Sequence, residues 1–179
     1  MKKIVVLICL CVAATLGYAQ ENPLSFEEVI QEEGKSAKEL YTIIKTWVAS
    51  NFKSANDVIQ MDDSESGILI CKGNISYKAP GGMSYRYIDG HINFTLKAQT
   101  KDGRCKIIVS DFTHFSEDLQ EAKTWSFGLI TDREKYKPSG LQDSRWKKTW
   151  PDLQTVSKKQ AQEIIASIKI AISKTTDNW

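Results

Sequence analysis

Gly90-His91-Ile92-Asn93-Phe94-Thr95-Leu96-Lys97-Ala98-Gln99-Thr100 is the stretch that decides the fold class of this chain. Ile92, Phe94, Leu96 and Ala98 alternate with His91, Asn93, Thr95 and Lys97. Side chains on a strand point to opposite faces with period two, so this is a strand with one buried and one open face. Lys101-Asp102-Gly103-Arg104 follows, and Asp-Gly tolerates the positive φ of a tight hairpin turn. Cys105 to Phe112 then returns as the antiparallel partner. A sheet that is apolar on one face needs a second layer to cover it.

Two amphipathic helices supply that layer. Ser36 opens the first, with Glu39 placed to complete a capping box. Leu40, Ile43, Ile44, Trp47 and Val48 recur at i, i+3, i+4, i+7 and i+8, the spacing of a single apolar stripe, and the helix should end near Ser50. The second is expected over 157–174, capped by Ser157 with Gln160 as its box partner. Ala161, Ile164, Ile165, Ile168 and Ile172 form its stripe.

The remaining segments read mainly as strands. Leu24 to Gln31 is a first strand, ended by Gly34, and Asn56 to Met61 is a short second one. Asp62 to Gly67 is a polar turn, and Ile68 to Tyr77 is a longer strand. Ala79-Pro80-Gly81-Gly82 breaks that strand, and Tyr85-Arg86-Tyr87 leads into the next. From Thr113 to Trp150 the patterning weakens. Trp125, Phe127 and Leu129 alternate briefly as an added strand, and Lys135 to Ser144 is a loop containing Pro138 and Gly140. The expected fold is α+β in the order β-α-β-β-β-β-α. A curved antiparallel five-stranded sheet carries both helices packed on one face, with an irregular insertion before the last helix. Residues 20–179 form one domain, with its core in 24–113 and an irregular aromatic segment over 114–150.

The first nineteen residues read as a targeting segment. Lys2 and Lys3 precede an apolar run, Ile4 to Leu16, and Gly17-Tyr18-Ala19 supplies small residues before a cut after Ala19. The run is too short to span a bilayer. The protein is therefore expected to be exported, periplasmic or associated with the cell surface, with no integral membrane segment after cleavage. Ile8 and Leu10 precede Cys9 and Cys11, where a lipoprotein site needs a small residue, so lipidation is not expected. Removing 19 of the 179 residues also removes two lysines, leaving 22 Lys+Arg against 22 Asp+Glu. A nucleic-acid partner is not expected at that balance, because phosphate neutralisation needs a basic excess. Cys71 and Cys105 remain. With sequential strands as neighbours, one strand separates them, and about 9–10 Å is too far for a bridge.

The chain resembles a secreted family of Bacteroidetes known as domain-of-unknown-function family 4468. The resemblance rests on Phe26-Glu27-Glu28-Val29, on Ser36-Ala37-Lys38-Glu39-Leu40-Tyr41, and on Trp47. Asp57-Val58-Ile59-Gln60, Gly67-Ile68 and Ile92-Asn93-Phe94-Thr95-Leu96 continue it, over about residues 24 to 113. It implies a TATA-binding-protein-like fold. These motifs are structural, so no site residues carry over, and the fold name implies no DNA binding.

Catalytic patterns are sparse. Asp111, His114 and Glu117 would share a helix face and could ligate a metal, but they follow a strand and read better as solvated polar residues. His91 reads as a strand residue facing away from the core. No serine lies in a Gly-x-Ser-x-Gly elbow, and Gly81-Gly82 lacks the Lys-Ser/Thr of a phosphate loop. No cofactor is expected. The most pointed feature is aromatic. Tyr77, Tyr85 and Tyr87 flank the Pro80-Gly81-Gly82 loop, and Trp125, Arg145, Trp146 and Trp150 concentrate in the irregular segment. Aromatics with a polar handle are frequent in binding surfaces. Tyr85, Tyr87, Trp125, Arg145, Trp146 and Trp150 are therefore the candidate contact residues. The competing reading is that the tryptophans fill a minor core.

Three functions are compatible with these residues. The favoured one is an exported, non-catalytic binding or protein-interaction module of the cell envelope. It would be a monomer or weak dimer that contacts an envelope protein or glycan. The second is a carrier of a small apolar ligand between sheet and helix. The third is an envelope hydrolase with His114 or His91 as base.

Overall fold

The computed structural model describes residues 21–117, 125–141 and 144–174. The proposed signal segment and cleavage point, and residues 118–124 and 142–143 of the aromatic segment, lie outside the described residues. The elements run β1 (Phe26–Gln31), α1 (Ala37–Asn51), α2 (Ala55–Val58), β2 (Ile59–Asp63) and β3 (Ile68–Tyr77). A 3-10 helix (Gly82–Ile88) precedes β4 (Gly90–Lys101), β5 (Arg104–Ser116), β6 (Gly128–Leu129) and α3 (Trp146–Lys174).

The expected α+β class holds, with an antiparallel sheet and the last helix following an insertion. The sheet order is β1-β5-β4-β3-β2, with β6 added to β5. Sequential neighbours therefore run only from β2 to β5. β1 crosses to the far edge and pairs with β5, from Phe26 opposite Val109 to Gln31 opposite Arg104. The expected hairpin closes with Lys101 opposite Arg104, and Gly103 takes φ 74°. That turn also holds the start of α1, because Asp102 Oδ1 accepts the Ala37 N–H at 2.8 Å and the Gly103 N–H reaches the Lys35 carbonyl at 2.8 Å.

The α1 prediction matches closely. Ser36 and Glu39 form the reciprocal capping box, and Leu40, Ile44, Trp47 and Val48 are buried. Each of those four contributes roughly 1.5–3 kcal/mol by leaving water. Their partners across the layer are Ile92, Phe94, Leu96 and Ala98 on β4 and Cys105, Ile107, Val109 and Phe112 on β5, all in one core.

Four boundaries differ from expectation. Residues 55–58 are a single helical turn rather than the start of a strand, and β2 begins at Ile59. β1 begins at Phe26 rather than Leu24, because the Leu24 N–H turns aside to the Ile130 carbonyl at 3.0 Å. β5 continues past Phe112 to Ser116. α3 begins at Trp146, eleven residues before the expected cap, and runs for 29 residues with Pro151 inside it. A proline inside a helix removes one N–H donor and costs about 3 kcal/mol. Long-range anchors offset that cost. Trp150 Nε1 donates to the Arg133 carbonyl at 2.7 Å, and Gln154 Nε2 donates to the carbonyls of Thr131 and Arg133 at 2.7 and 2.9 Å. Ser157 thus lies buried inside the helix rather than at its cap.

Cys71 and Cys105 are free and buried. Cys71 faces Leu96 on β4 and Cys105 faces Thr100. Four positions along β4 add to the two-strand separation, which puts the cysteines about 16 Å apart.

Candidate functional site

Both helices lie on one face of the sheet, and the register shows what the opposite face carries. One row across the strands reads Ser110–Thr95–Lys72, the next Thr113–Asn93–Asn74, and the next Phe115–His91–Ser76. The rows are polar because they occupy the outward half of the period-two pattern. Between the first two rows the β4–β5 register shifts, and Asp111 takes φ 56°. This is a β-bulge with its extra residue in the left-handed region. Asp tolerates that region better than most residues, and bulges re-aim side chains. The Asp111 carboxylate accepts from Ser110 Oγ at 3.1 Å, and the Asp111 carbonyl accepts from Thr113 Oγ1 at 3.1 Å.

These rows enclose an open hollow of about 470 Å³, walled by Lys72, Asn74, Asn93, Thr95, Asp111 and Phe115. Phe115 is exposed, and the His91 ring stacks on it with centroids 5.7 Å apart. His91 Nδ1 lies 2.8 Å from Glu117 Oε1.

A separate aromatic group lies around the 3-10 helix, tied to Ser116, whose side chain leaves β5 on the side opposite to Phe115. The Ser116 hydroxyl donates to the Tyr87 carbonyl at 2.7 Å, and the Trp125 N–H donates to the same carbonyl at 3.2 Å. The Trp125 and Tyr87 rings meet edge to face at 6.5 Å, and the Arg145 guanidinium sits 5.8 Å over the Tyr85 ring. Four of the six candidate contact residues are thus paired two by two, Tyr85 and Tyr87 from the 3-10 helix with Arg145 and Trp125. Tyr87 is exposed, and Tyr85, Trp125 and Arg145 are half-buried. Trp146 is half-buried at the start of α3 and carries the Lys147 ammonium 5.9 Å over its ring.

Trp150 takes the competing place. It is 1% exposed, stacks on Phe127 at 6.2 Å, and lies 4.8 Å from the Tyr136 ring. It centres a small second core that pins the start of α3. Tyr77 is also buried. Its hydroxyl donates to Asp152 Oδ2 at 2.8 Å, and burial together with that carboxylate pushes its ionisation upward.

Asp111, His114 and Glu117 do not form one cluster. Asp111 lies on the open face, Glu117 pairs with His91, and His114 is fully buried in the core rather than solvated. One His114 nitrogen, Nε2, lies 2.9 Å from the Ile88 carbonyl, and the Phe127 N–H reaches the other, Nδ1, at 3.1 Å. A carbonyl can only accept and an N–H can only donate, so the ring is neutral with its proton on Nε2. Desolvation drives its pKa down to about 4. No group of three metal-ligating side chains occurs among the described residues. The two histidines belong to opposite faces of the sheet, so they do not share one site, and of the two only His91 has a carboxylate partner, Glu117.

For the carrier reading, an open groove of about 360 Å³ lined by Trp47, Ile75, Phe94 and Ile164 lies between α1, α3 and the sheet, beside a tightly packed centre. Leu40, Val48, Ile92, Ile107, Val109 and Ile168 line the space between sheet and helices, and each is at most 1% exposed. No described helix is long and apolar enough to cross a membrane.

The sequence alternation places the outward residues of β4 but not their β3 and β5 neighbours. Only the register reveals which side chains share a row. A strand expected to end at Phe112 leaves out Phe115, although Thr113, His114 and Phe115 continue β5 to Ser116.

Comparisons with known proteins agree with this architecture. The model of a family described as a domain of unknown function (DUF4468) with TBP-like fold matches residues 26–115. A TBP-like protein from Parabacteroides distasonis ATCC 8503 superposes with a TM-score of 0.62 at 12% identity, over 85% of this chain and 94% of that one. A DUF4468 family protein from Bacteroides ovatus ATCC 8483 gives a TM-score of 0.57 at 15% identity, over 88% and 90%. No curated protein matches the sequence. At these identities the solved structures speak to the fold alone.

Proposed function

The chain belongs to the DUF4468 family of TBP-like fold, and from that premise we propose that it is an exported, non-catalytic binding module of the bacterial cell envelope. The observation that carries this reading is the face of the sheet on which no described helix packs. That face holds a polar hollow open to solvent, bounded at one end by the exposed Phe115 ring. One sheet face builds the core, and among the described residues the other stays open to contact a partner.

Export rests on the Lys2-Lys3 and Ile4-to-Leu16 pattern with a cut after Ala19. The balanced charge that remains argues against a nucleic-acid partner. The non-catalytic part rests on His114, whose two nitrogens are both occupied within the core.

The test is affinity capture from envelope extract of the native host, with the parent chain and the Tyr87→Ala/Trp125→Ala and Asn74→Ala/Asn93→Ala variants as bait. A binding module should retain a defined partner or ligand that at least one folded double variant loses. Retention by both variants, or no retained species with the parent chain, would overturn this reading. Fractionation of the host, with N-terminal sequencing of the mature chain, tests export separately.

A further inference from the structure

We infer that the hollow on the open face takes an uncharged oligosaccharide, an inference that rests on the binding-module reading and specifies its ligand. The side chains around the hollow indicate the chemistry. Lys72 is cationic and Asp111 anionic, so the formal charges there cancel, and the other polar groups are two carboxamides and two hydroxyls, from Asn74, Asn93, Thr95 and Thr113. A phosphate-bearing ligand would meet the Asp111 carboxylate, and a basic peptide would meet Lys72. An apolar ligand would strip water from both amides without replacing their hydrogen bonds. A ligand with many hydroxyls, each both donor and acceptor, suits all of them.

A second observation is independent of composition. The side chains of Lys72, Asn74, Asn93 and Thr95 make no hydrogen bond among the described residues, although elsewhere on the surface polar side chains commonly pair. These four hold an amine, two amides and a hydroxyl with no competing protein partner. The backbone beneath them is a central part of the sheet, so ligand binding would not first have to order it. Asp111, the one described non-glycine residue at positive φ, sets its carboxylate at the bulge beside them. Backbone strain of this kind clusters where a side chain must be aimed.

The third observation is the wall at one end. Phe115 is exposed, with His91 stacked on it and Glu117 holding His91 Nδ1 at 2.8 Å. An aromatic face carries negative charge density. The C–H groups on one face of a pyranose ring are slightly positive and apolar, so they suit such a wall, while the hydroxyls at the ring edge reach the amides. Polar groups that fix orientation beside an aromatic surface are the usual makeup of a small-ligand site, and 470 Å³ lies within the usual size range.

The experiment is a titration of the purified chain followed by amide chemical shifts, with maltotriose, cellotriose and tri-N-acetylchitotriose as probes at millimolar concentration. At least one probe should give saturable shifts centred on Asn74, Asn93, Thr113 and Phe115. Asn74→Ala/Asn93→Ala should weaken that binding about tenfold or more, as expected for two lost hydrogen bonds. Phe115→Ala should weaken it as well, and both variants should keep the parent melting temperature, because the replaced side chains are outside the core. Shifts confined to other regions, or none with any probe, would overturn the inference. So would shifts that depend on protein concentration without sugar, which would mean a second copy covers the face. If no sugar binds but envelope capture still yields a protein lost on Asn74→Ala/Asn93→Ala, the glycan inference fails and the binding-module reading stands. If capture fails too, both fall.

Discussion

His114 Nδ1 accepts the backbone N–H of Phe127 at 3.1 Å, thirteen residues on, and so joins β5 to the segment that leads into β6. The same ring lies 2.9 Å from the Ile88 carbonyl through Nε2. A single neutral imidazole therefore ties together the end of the 3-10 helix, β5 and the residue that precedes β6. Protonation would place a second N–H against the Phe127 N–H.

This arrangement makes stability depend on pH in a defined direction. The His114 pKa is lowered to about 4 in the folded chain from 6.5. The neutral form is favoured by folding, so its contribution is complete above pH 6.5. As the pH falls from 6.5 toward 4, the unfolded state takes up the proton while the native state does not, and stability declines. Below about 4 this loss levels off. Urea unfolding across that range should show the slope, and His114→Gln should flatten it while lowering stability at pH 7 by about 1–3 kcal/mol.

Trp150 and Trp146 lie four residues apart on α3 but should behave differently. Trp150→Ala removes a fully buried indole from its stack on Phe127 and its bond to the Arg133 carbonyl. A loss of about 3–5 kcal/mol is expected. Trp146→Ala removes a half-buried side chain and should cost distinctly less. Paired denaturant titrations decide it; equal losses would mean that the two indoles are buried alike.

Gly73 lies where the sheet backbone meets two rings. A Cβ there would stand 2.5 Å from Phe94 Cζ and 2.8 Å from Phe52 Cε1. Gly73→Ala should destabilise by about 1–3 kcal/mol through overpacking. Phe52→Ala removes one of the two clashing rings, so in that background the cost of Gly73→Ala should shrink. A double-mutant cycle reads that coupling.

Burial pushes the thiols of Cys71 and Cys105 up to about 11. Only the thiolate is nucleophilic. Native protein at pH 7 should leave both cysteines unalkylated by iodoacetamide, and denatured protein should alkylate both. Peptide mass spectrometry after each treatment should also find no bridge between them.

Local regularities account for what could be read without coordinates. The 92–98 alternation, the Asp102-Gly103 turn, the Ser36/Glu39 box and the 161–172 stripe depend on residues close in sequence, and each reappears in the fold nearly in place. The errors share a different origin. Pro151 and the Ser157-x-x-Gln160 pattern suggest a helix starting after 156. Three long-range hydrogen bonds to residues 131 and 133 carry the helix back to Trp146 instead. His114 carries no local sign of burial, since its two partners come from other segments.

The sequence by itself therefore determined the fold class, the two long helices and the long strands, and the inward faces of α1 and β4, because periodicity and capping are set within a few residues. The tertiary structure alone decided that β1 crosses to pair with β5, that Trp150 is core while Tyr87 stays outside, and that Asn74, Asn93 and Thr113 share a row. Strand order and register arise from pairings between segments distant in the chain. No short window of residues contains both partners, so the candidate surface emerges only when the sheet is assembled.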